Sequence, residues 1–152
     1  REASTYSIEA TADGQGAAAE ADIIVTITPA TKPIIPDAWV RPGTHISCVG
    51  ADMPGKQELA SALVAHAAVY VDDREQSVAS GELEIPVAEG AITPEDIKAE
   101  LGEVIAGAAT GRSDDEQVTV FDTSGIAVQD LSASKIAYDR AVEAGLGTVV
   151  EL

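Results

Sequence analysis

Two oppositely charged side chains, four residues apart, are the first candidates for chemistry in this sequence. Asp52 and Lys56 lie in the stretch VGADMPGKQEL at residues 49–59, on either side of a Pro-Gly turn. A carboxylate whose pKa is set by burial and by a nearby ammonium group can act as a general acid or base. The apolar run HISCVG, which precedes the pair, is typical of a buried strand. We therefore predict that both side chains follow the carboxyl end of a strand.

Each of these residues also has a purely structural interpretation. Asp is favoured at helix N-caps, so Asp52 equally fits a cap of the apolar-periodic segment that follows it. Lysine is usually solvated, so Lys56 equally fits an exposed helix position. Spacing alone leaves the catalytic and the structural interpretations open.

The apolar pattern along the chain predicts alternating strands and helices. Four runs read as strands: ADIIVTITPA at 21–30, HISCVG at 45–50, AVYVDD at 68–73 and QVTVFD at 117–122. Four segments read as helices: KQELASALVAHA at 56–67, REQSVASGE stopped by Gly81, ITPEDIKAELGEVIAGAATG at 92–111 and a last helix running to Gly145. The first of these strands reads as buried on both faces, and the proline-rich segment 31–43 reads as a loop.

This alternation predicts an α/β fold with a doubly wound parallel sheet covered on both faces. In open parallel sheets, ligands bind beyond the carboxyl ends of the strands. Three segments, TITPAT, VGADMPGK and FDTSG, sit at such ends. The topology therefore predicts one rim that carries Thr26, Thr28, Asp52, Lys56 and Thr123.

Composition narrows the class of partner. The 152 residues include 9 Lys and Arg against 26 Asp and Glu, a formal net charge of −17. Nucleic acid and anionic membranes would both repel such a chain, and no apolar run approaches the roughly 20 residues of a membrane span. A single cysteine fits a reducing cytoplasm, where we expect the protein to act. The dispersed acids suggest a halophilic source, which a salt titration of unfolding tests.

Other polar residues read as structural. His45 and His66 lie on different predicted elements with no ligand at metal spacing, so we expect no zinc site. Cys48 lies in a predicted buried strand without a base and is expected to be inert. The acidic run 113–116 reads as a solvated loop. The GQG at 14–16 lacks the preceding strand and third glycine of a dinucleotide fingerprint, and it reads as a loop.

Several longer motifs occur in an order that resembles a known family. They are VGADMPGKQEL, VYVDDREQ, GELEIPVAEG, ITPEDI, AELGEVIAG, GRSDDEQVTVFDTSGIAVQDL and AGLGTVVEL. In this order they resemble the C-terminal part of the ornithine cyclodeaminase and mu-crystallin family, which includes an archaeal type of alanine dehydrogenase and imine reductases. The resemblance extends from about Ala21 to the end of the chain.

The resemblance implies a Rossmann-like sheet that is incomplete in this chain. Residues 1–122 would be the C-terminal portion of an NAD(P)-binding Rossmann domain. Residues 123–152 would form a C-terminal helix and tail that pack toward an N-terminal domain. The first βαβ unit and that N-terminal domain would lie before Arg1, so we expect a fragment of a longer polypeptide that forms a homodimer.

The resemblance also implies roles for single residues. Asp52 takes the position of the acid/base that assists imine formation and hydrolysis, and Lys56 lies near the cofactor. Thr123, in FDTSG, takes a hydroxyl position near the nicotinamide, although the family's turn has Ser and Thr in the other order. The cofactor-binding set implied is Thr26, Thr28, Val49, Lys56 and Thr123. The cofactor implied is NAD, and the visible residues are also compatible with NADP.

The activity that we expect is conversion of L-ornithine to L-proline and ammonia through a hydride-generated imine. An alanine dehydrogenase or an imine reductase of the same family is the alternative, since all three share the visible motifs. A third possibility is a non-catalytic fragment or binding domain. The isolated chain is expected to be inactive, because it lacks a phosphate-binding turn of its own.

Overall fold

The computed structural model describes residues 6–148 and residue 150, and it has an α/β fold with a parallel central sheet. The strands are β1 (Ile23–Thr26), β2 (Thr31–Ile35), β3 (His45–Cys48), β4 (Gln57–Leu59), β5 (Ala68–Val71), β6 (Ala99–Glu100) and β7 (Thr119–Asp122). The helices are α1 (Gly14–Glu20), α2 (Ser61–His66), α3 (Arg74–Ser80), α4 (Glu84–Ala88), α5 (Leu101–Ile105) and α6 (Ala127–Glu143). Short 3₁₀ helices span Asp37–Trp39 and Pro94–Asp96.

Five strands form the central sheet in the order β1-β3-β7-β5-β6, and every neighbouring pair is parallel. Strand β7, although last in the chain, lies between β3 and β5. The register aligns Thr26, Cys48, Asp122, Val71 and Glu100 in one row across the sheet. The turns that follow these residues therefore meet along one edge, as the alternation of strands and helices predicted.

The main core lies on one face of the sheet and is built almost entirely from aliphatic side chains. It comprises Ile46, Cys48, Leu59, Leu63, Val64, Val69, Val71, Leu83, Ile92, Ile97, Val118 and Val120. On the opposite face, β1 is poorly covered within the described residues: Ile23 is 65% and Val25 is 61% exposed. The prediction that the first strand is buried on both faces is therefore wrong for β1, whereas β5 is buried at all four positions.

Segment 56–67 is not one helix. Its first part forms β4, which pairs with β2 in a second, two-stranded parallel sheet, and α2 begins only at Ser61. Gln57 N–H donates to Ala30 O at 3.0 Å, so the proline-rich segment predicted as a loop supplies a strand partner instead. The N-cap of α2 is Ala60. The capping interpretation of Asp52 is consequently wrong.

Segment 92–111 also differs from the predicted helix. Thr93 does cap it, through bonds with the Asp96 carboxylate, but the helical turn ends after Asp96. The chain then extends beside β5, where Lys98 N–H donates to Val69 O at 2.8 Å. Pairing with a buried strand outweighs helix propensity here. The predicted apolar stripe is divided as a result, with Ile97 buried and Ile105 exposed.

The start of the chain carries a further correction. The GQG predicted as a loop forms the first turn of α1, because Asp13 caps this helix by accepting from Gly16 N–H at 2.9 Å. The prediction for 74–80 is confirmed, since α3 ends directly before Gly81. In the tail predicted as apolar at 147–152, residues 149, 151 and 152 lie outside the described residues.

The last helix forms as predicted but has no buried residue along its length. Its predicted apolar stripe is exposed, with Leu131 at 69%, Tyr138 at 67% and Val142 at 61%. None of the helices in the described part of the chain is long and apolar enough to cross a membrane.

Three carboxylates are buried beneath the edge where the strands end: Glu58, Glu82 and Asp122, each 0% exposed. Glu82 accepts hydrogen bonds from the backbone N–H groups of Glu58 and Leu59, and Asp122 accepts one from Glu82 N–H. Burial raises the pKa of Glu82 from its ordinary 4.5 to about 8. It raises the pKa of Asp122 from 3.8 to about 7. Both groups therefore bind a proton more tightly in the folded chain than in the unfolded one.

This difference predicts a pH dependence of stability. A group whose pKa is raised by folding contributes stability below its unfolded pKa and loses it as pH rises toward the folded value. For Glu82 that window runs from about 4.5 to about 8. The free energy of unfolding, measured by urea titration, should fall as pH rises from about 5 to 8. It should fall less steeply in Glu82→Gln.

The matched control is Glu89→Gln, which removes one negative charge from an exposed side chain that accepts from Ser61 Oγ. This variant should keep the slope of the unmodified chain. Equal slopes in both variants would contradict the assignment to Glu82.

Candidate active site at the carboxyl edge of the sheet

The predicted acid and base form an ion pair. Lys56 Nζ lies 2.5 Å from Asp52 Oδ1, and it also donates to Gly50 O at 3.2 Å. The Lys56 side chain is only 15% exposed, whereas that of Asp52 is 59% exposed. The hydrogen bond from Lys56 and its positive charge hold the pKa of Asp52 below the ordinary value. Asp52 is therefore an ionised, solvent-facing carboxylate at neutral pH.

The turn between these two residues is built to bring them together. Gly55 has a φ of +81°, a conformation that side-chain-bearing residues rarely adopt. Its N–H donates to Glu84 Oε2 at 2.7 Å, which ties the turn to α4. Lys56 N–H donates back to Met53 O at 3.3 Å and closes the turn.

A buried carboxylate joins this turn to its neighbour at the end of β1. Glu58 Oε1 accepts from Thr28 N–H at 2.7 Å and from Thr28 Oγ1 at 2.8 Å. Glu58 Oε2 accepts from Gly50 N–H at 3.0 Å. The turn that carries Thr28 and the turn that leads to Asp52 are therefore held by one side chain.

A second carboxylate organises the turn after β7. Asp72, at the end of β5, accepts from Thr123 Oγ1 at 3.2 Å, from Ser124 Oγ at 2.7 Å and from Gly125 N–H at 3.1 Å. Gln76 donates to the carbonyls of Ser124 and Gly125. Both hydroxyls of the FDTSG turn are thus oriented by one acid from the neighbouring strand.

The structure places Thr28, Val49, Lys56 and Thr123 half-buried along the same edge. Thr26 differs from them, since it is 4% exposed and its side chain lies in the core beside Cys48. Only its backbone carbonyl takes part in the edge, where it accepts from Val49 N–H at 2.8 Å. The structure therefore does not present the predicted Thr26 side chain to a ligand.

Sequence reasoning missed Glu58 and Asp72. Glu58 was missed because the segment 56–67 was predicted as a helix, whereas Glu58 lies in the buried strand β4. Asp72 was quoted only as part of a strand end. Each acid has one apolar neighbour, Leu59 for Glu58 and Val71 for Asp72, which is too weak a signal to have found either of them.

The remaining polar candidates have local partners. His45 Nδ1 lies 2.8 Å from Thr119 Oγ1, and its pKa is lowered by burial and then by Arg112. His66 pairs with Asp37. Burial raises the pKa of the Cys48 thiol well above its ordinary value. No group of three or more His, Cys, Asp or Glu side chains could hold a metal ion within residues 6–148 and 150.

An apolar groove of about 560 Å³ lies on the poorly covered face of the sheet. Its lining includes Ile23, Tyr70, Phe121 and Arg112. None of the predicted site residues lines it. The groove is therefore separate from the carboxyl edge.

Comparison with known proteins matches this chain to one family. The model of the ornithine cyclodeaminase/mu-crystallin family matches residues 1–145. The alanine dehydrogenase of Archaeoglobus fulgidus is 43% identical over 134 residues, which are 88% of this chain and 42% of that protein. This chain therefore spans about two fifths of the length of that relative.

Solved structures give the same result. An archaeal alanine dehydrogenase dimer with bound NAD is 44% identical in sequence and has a TM-score of 0.82. The match includes 86% of this chain and 41% of the alanine dehydrogenase chain. The Δ(1)-pyrroline-2-carboxylate reductase of Thermococcus litoralis, solved with NADH and L-proline, is 36% identical and has a TM-score of 0.87. That match includes 90% of this chain and 43% of the reductase chain.

The ion pair gives a prediction that needs no ligand. Replacing Lys56 by Met removes the ammonium group that stabilises the Asp52 carboxylate, so the pKa of Asp52 should rise toward its ordinary value. Carbon-detected NMR titration of the Asp52 carboxyl measures this change.

Lys135→Met is the matched control, because Lys135 pairs with Asp139 on the exposed helix α6. It should leave the Asp52 titration where it is in the unmodified chain. An unchanged Asp52 titration in Lys56→Met would show that another group sets this pKa.

Proposed function

The chain belongs to the ornithine cyclodeaminase/mu-crystallin family, and from this premise we propose that it is part of an NAD-dependent enzyme that interconverts amino acids and imines. The observation that carries the proposal is the ionised Asp52, paired with Lys56 at the edge where the parallel strands end. Two threonine-bearing turns flank this pair and are held by buried or half-buried acids.

The activity that we propose first is that of an amino-acid dehydrogenase or imine reductase. The relatives described above are an alanine dehydrogenase and a pyrroline-carboxylate reductase. This reverses the order favoured by the sequence, which placed ornithine cyclodeaminase first. The cyclodeaminase remains the second candidate, because the family is described by that activity and the proton chemistry at Asp52 would be the same.

The donors and acceptors at the edge fit a nicotinamide dinucleotide. The hydroxyl hydrogens of Thr28 and Thr123 are already donated to Glu58 and Asp72, so both oxygens can act only as acceptors for ribose hydroxyl or carboxamide donors. Thr28 Oγ1 already accepts from Ala30 N–H at 3.3 Å, which leaves it one lone pair for such a donor. Lys56 supplies a positive charge. We propose that Thr28, Val49, Lys56 and Thr123 hold the cofactor, and that the buried Thr26 contributes only through its backbone.

Asp52 would move the proton. Bound NAD would supply the acceptor for the hydride of the amino acid's α-carbon, and loss of that hydride would give an imine. In the dehydrogenase direction, Asp52 takes a proton from the water that attacks the imine carbon and returns it to the departing ammonia. In the reductase direction, Asp52 would first take a proton from solvent and then pass it to the imine nitrogen as hydride adds to carbon. Lys56 keeps the carboxylate ionised and orients it between steps.

The wider arrangement is part of the same proposal. Residues 1–122 would belong to the cofactor-binding domain, and residues 123–152 would pack against another domain of a homodimeric enzyme in the cytoplasm. The exposed apolar stripe on α6 supports such packing, since contiguous apolar surface is characteristic of interaction sites.

Replacing the proposed acid/base tests the function directly. Asp52→Asn, made in the polypeptide that carries this chain, should lower the turnover number by about 10²- to 10⁴-fold, because the amide cannot accept the proton. NAD affinity should change little. Absorbance at the NADH band, with alanine or with a cyclic imine as substrate, measures the rate.

Glu95→Gln is the control, since this exposed acid lies in the 3₁₀ turn 94–96 and away from the edge. It should keep the unmodified rate. Full activity in Asp52→Asn would remove Asp52 from the mechanism.

A second assay separates the candidate activities. A dehydrogenase or reductase changes the NADH concentration with alanine or an imine, whereas a cyclodeaminase forms proline from ornithine with no net change in NADH. Proline without net NADH would restore the order favoured by the sequence. Tight NAD binding by the 152-residue chain alone, with no turnover in the polypeptide that carries it, would instead support a binding domain.

A further inference from the structure

We propose that Glu58 is a positioning residue that fixes the cofactor-side turn at Thr28 relative to the catalytic turn at Asp52. The inference rests on the proposed function and deepens it. Glu58 itself touches no reacting atom in this account. It acts through the backbone of the two turns that it joins.

Both carboxylate oxygens of Glu58 accept hydrogen bonds, although no counter-ion lies beside them among the described residues. Its two oxygens accept three hydrogen bonds, at 2.7 and 2.8 Å from Thr28 and at 3.0 Å from Gly50 N–H. The residue is 0% exposed, and within the described part of the chain no cation pairs with it. Backbone and hydroxyl donors alone therefore stabilise the charge, so both turns must keep their donors aimed at it.

The backbone of Glu58 is itself held by hydrogen bonds to a second buried acid, Glu82. Its backbone N–H donates to both oxygens of Glu82, at 2.9 and 3.0 Å, and the N–H of Leu59 donates to Glu82 Oε1 at 2.6 Å. Asp122 accepts in turn from Glu82 N–H at 3.1 Å. The strand that carries Glu58 is thus anchored to the end of β7, which leads directly into the turn that bears Thr123.

The two turns are also in direct contact. A Cβ added to Gly50 would overlap the backbone N and O of Thr28 and the carboxyl carbon of Glu58. Lys56 Nζ donates to Gly50 O from the other side. A displacement of Gly50 therefore moves the anchor of Lys56, and through Lys56 the carboxylate of Asp52.

An amide cannot replace this carboxylate. Glutamine has one acceptor oxygen and one NH₂ group, so one of its ends must point hydrogen atoms at the N–H of Gly50 or of Thr28. Two donors then face each other in a buried site, and one turn moves away. Glu58→Gln therefore keeps the volume of the side chain while it releases one of the two turns.

The experiment is a double-mutant cycle in the polypeptide that carries this chain. The variants are Glu58→Gln, Asp52→Asn and the double variant, with rates expressed per folded, NAD-binding site. Glu58→Gln should lower the turnover number by about 10- to 100-fold, since small misplacements of catalytic groups have effects of this size. The double variant should be no slower than Asp52→Asn, because the misplaced group is then already disabled.

A merely structural role gives different results. Glu58→Gln would then lower the unfolding midpoint and the fraction of active sites, while the turnover number per active site stayed unchanged. Losses that multiply in the double variant would also overturn the proposal. Glu89→Gln, whose side chain accepts from Ser61 outside both turns, should match the unmodified protein.

A second cycle covers the case in which Glu58→Gln does not fold. Thr28→Val removes one of the three donors to Glu58 and leaves the backbone intact. Because Thr28 is also a proposed cofactor contact, turnover is measured at saturating NAD. The effect of Thr28→Val should then shrink in the Asp52→Asn background, and Thr28→Ser should restore the rate. Additive effects there would overturn the proposal. Failure of the proposed function is distinct, because Asp52→Asn alone would then have no effect.

Discussion

The candidate site depends on the buried carboxylate of Glu58, which has no counter-ion among the residues that the structure describes. A buried charge is stabilised only when donors surround it, and here the donors are the backbone and hydroxyl of two turns that the sheet brings together. Glu82 and Asp122 lie below it with their pKa values raised by burial to about 8 and about 7. At neutral pH the three acids therefore carry fewer than three charges, which limits their mutual repulsion.

The parallel edge that gathers the site residues could be predicted from the sequence, and the partners that fix them could not. The four strands could be predicted from local apolar runs, and turns follow the ends of these strands. Asp52, Lys56 and Thr123 could therefore be placed at one edge. The β4 strand and the extended segment at 99–100 depend instead on pairing with strands far away in the chain. Glu58 contacts Thr28 across 30 residues and Glu82 across 24, and no periodicity encodes such contacts.

In the described structure, one face of the central sheet is well covered and the other leaves apolar side chains exposed. The face that carries the aliphatic core is sealed by α2, α3 and α4, and the buried acids lie there. The opposite face leaves Ile23 and Val25 exposed, and α6 has no buried side chain. Relatives that this chain matches are more than twice as long, which agrees with a surface suited to further packing.

We propose that the exposure of Asp52 gives the ion pair a role beyond holding a turn. Two effects act on its pKa in opposite directions: Lys56 lowers it, and removal of water raises it. In the open edge Lys56 dominates, so the carboxylate is ionised and is a weak base. A ligand that covers the edge removes water from Asp52, which raises its pKa, and it also strengthens the attraction of Lys56 in the drier site, which lowers it. We propose that the fixed ion pair makes the proton affinity of Asp52 depend on occupancy of the site, a property that an acid/base at this position would use.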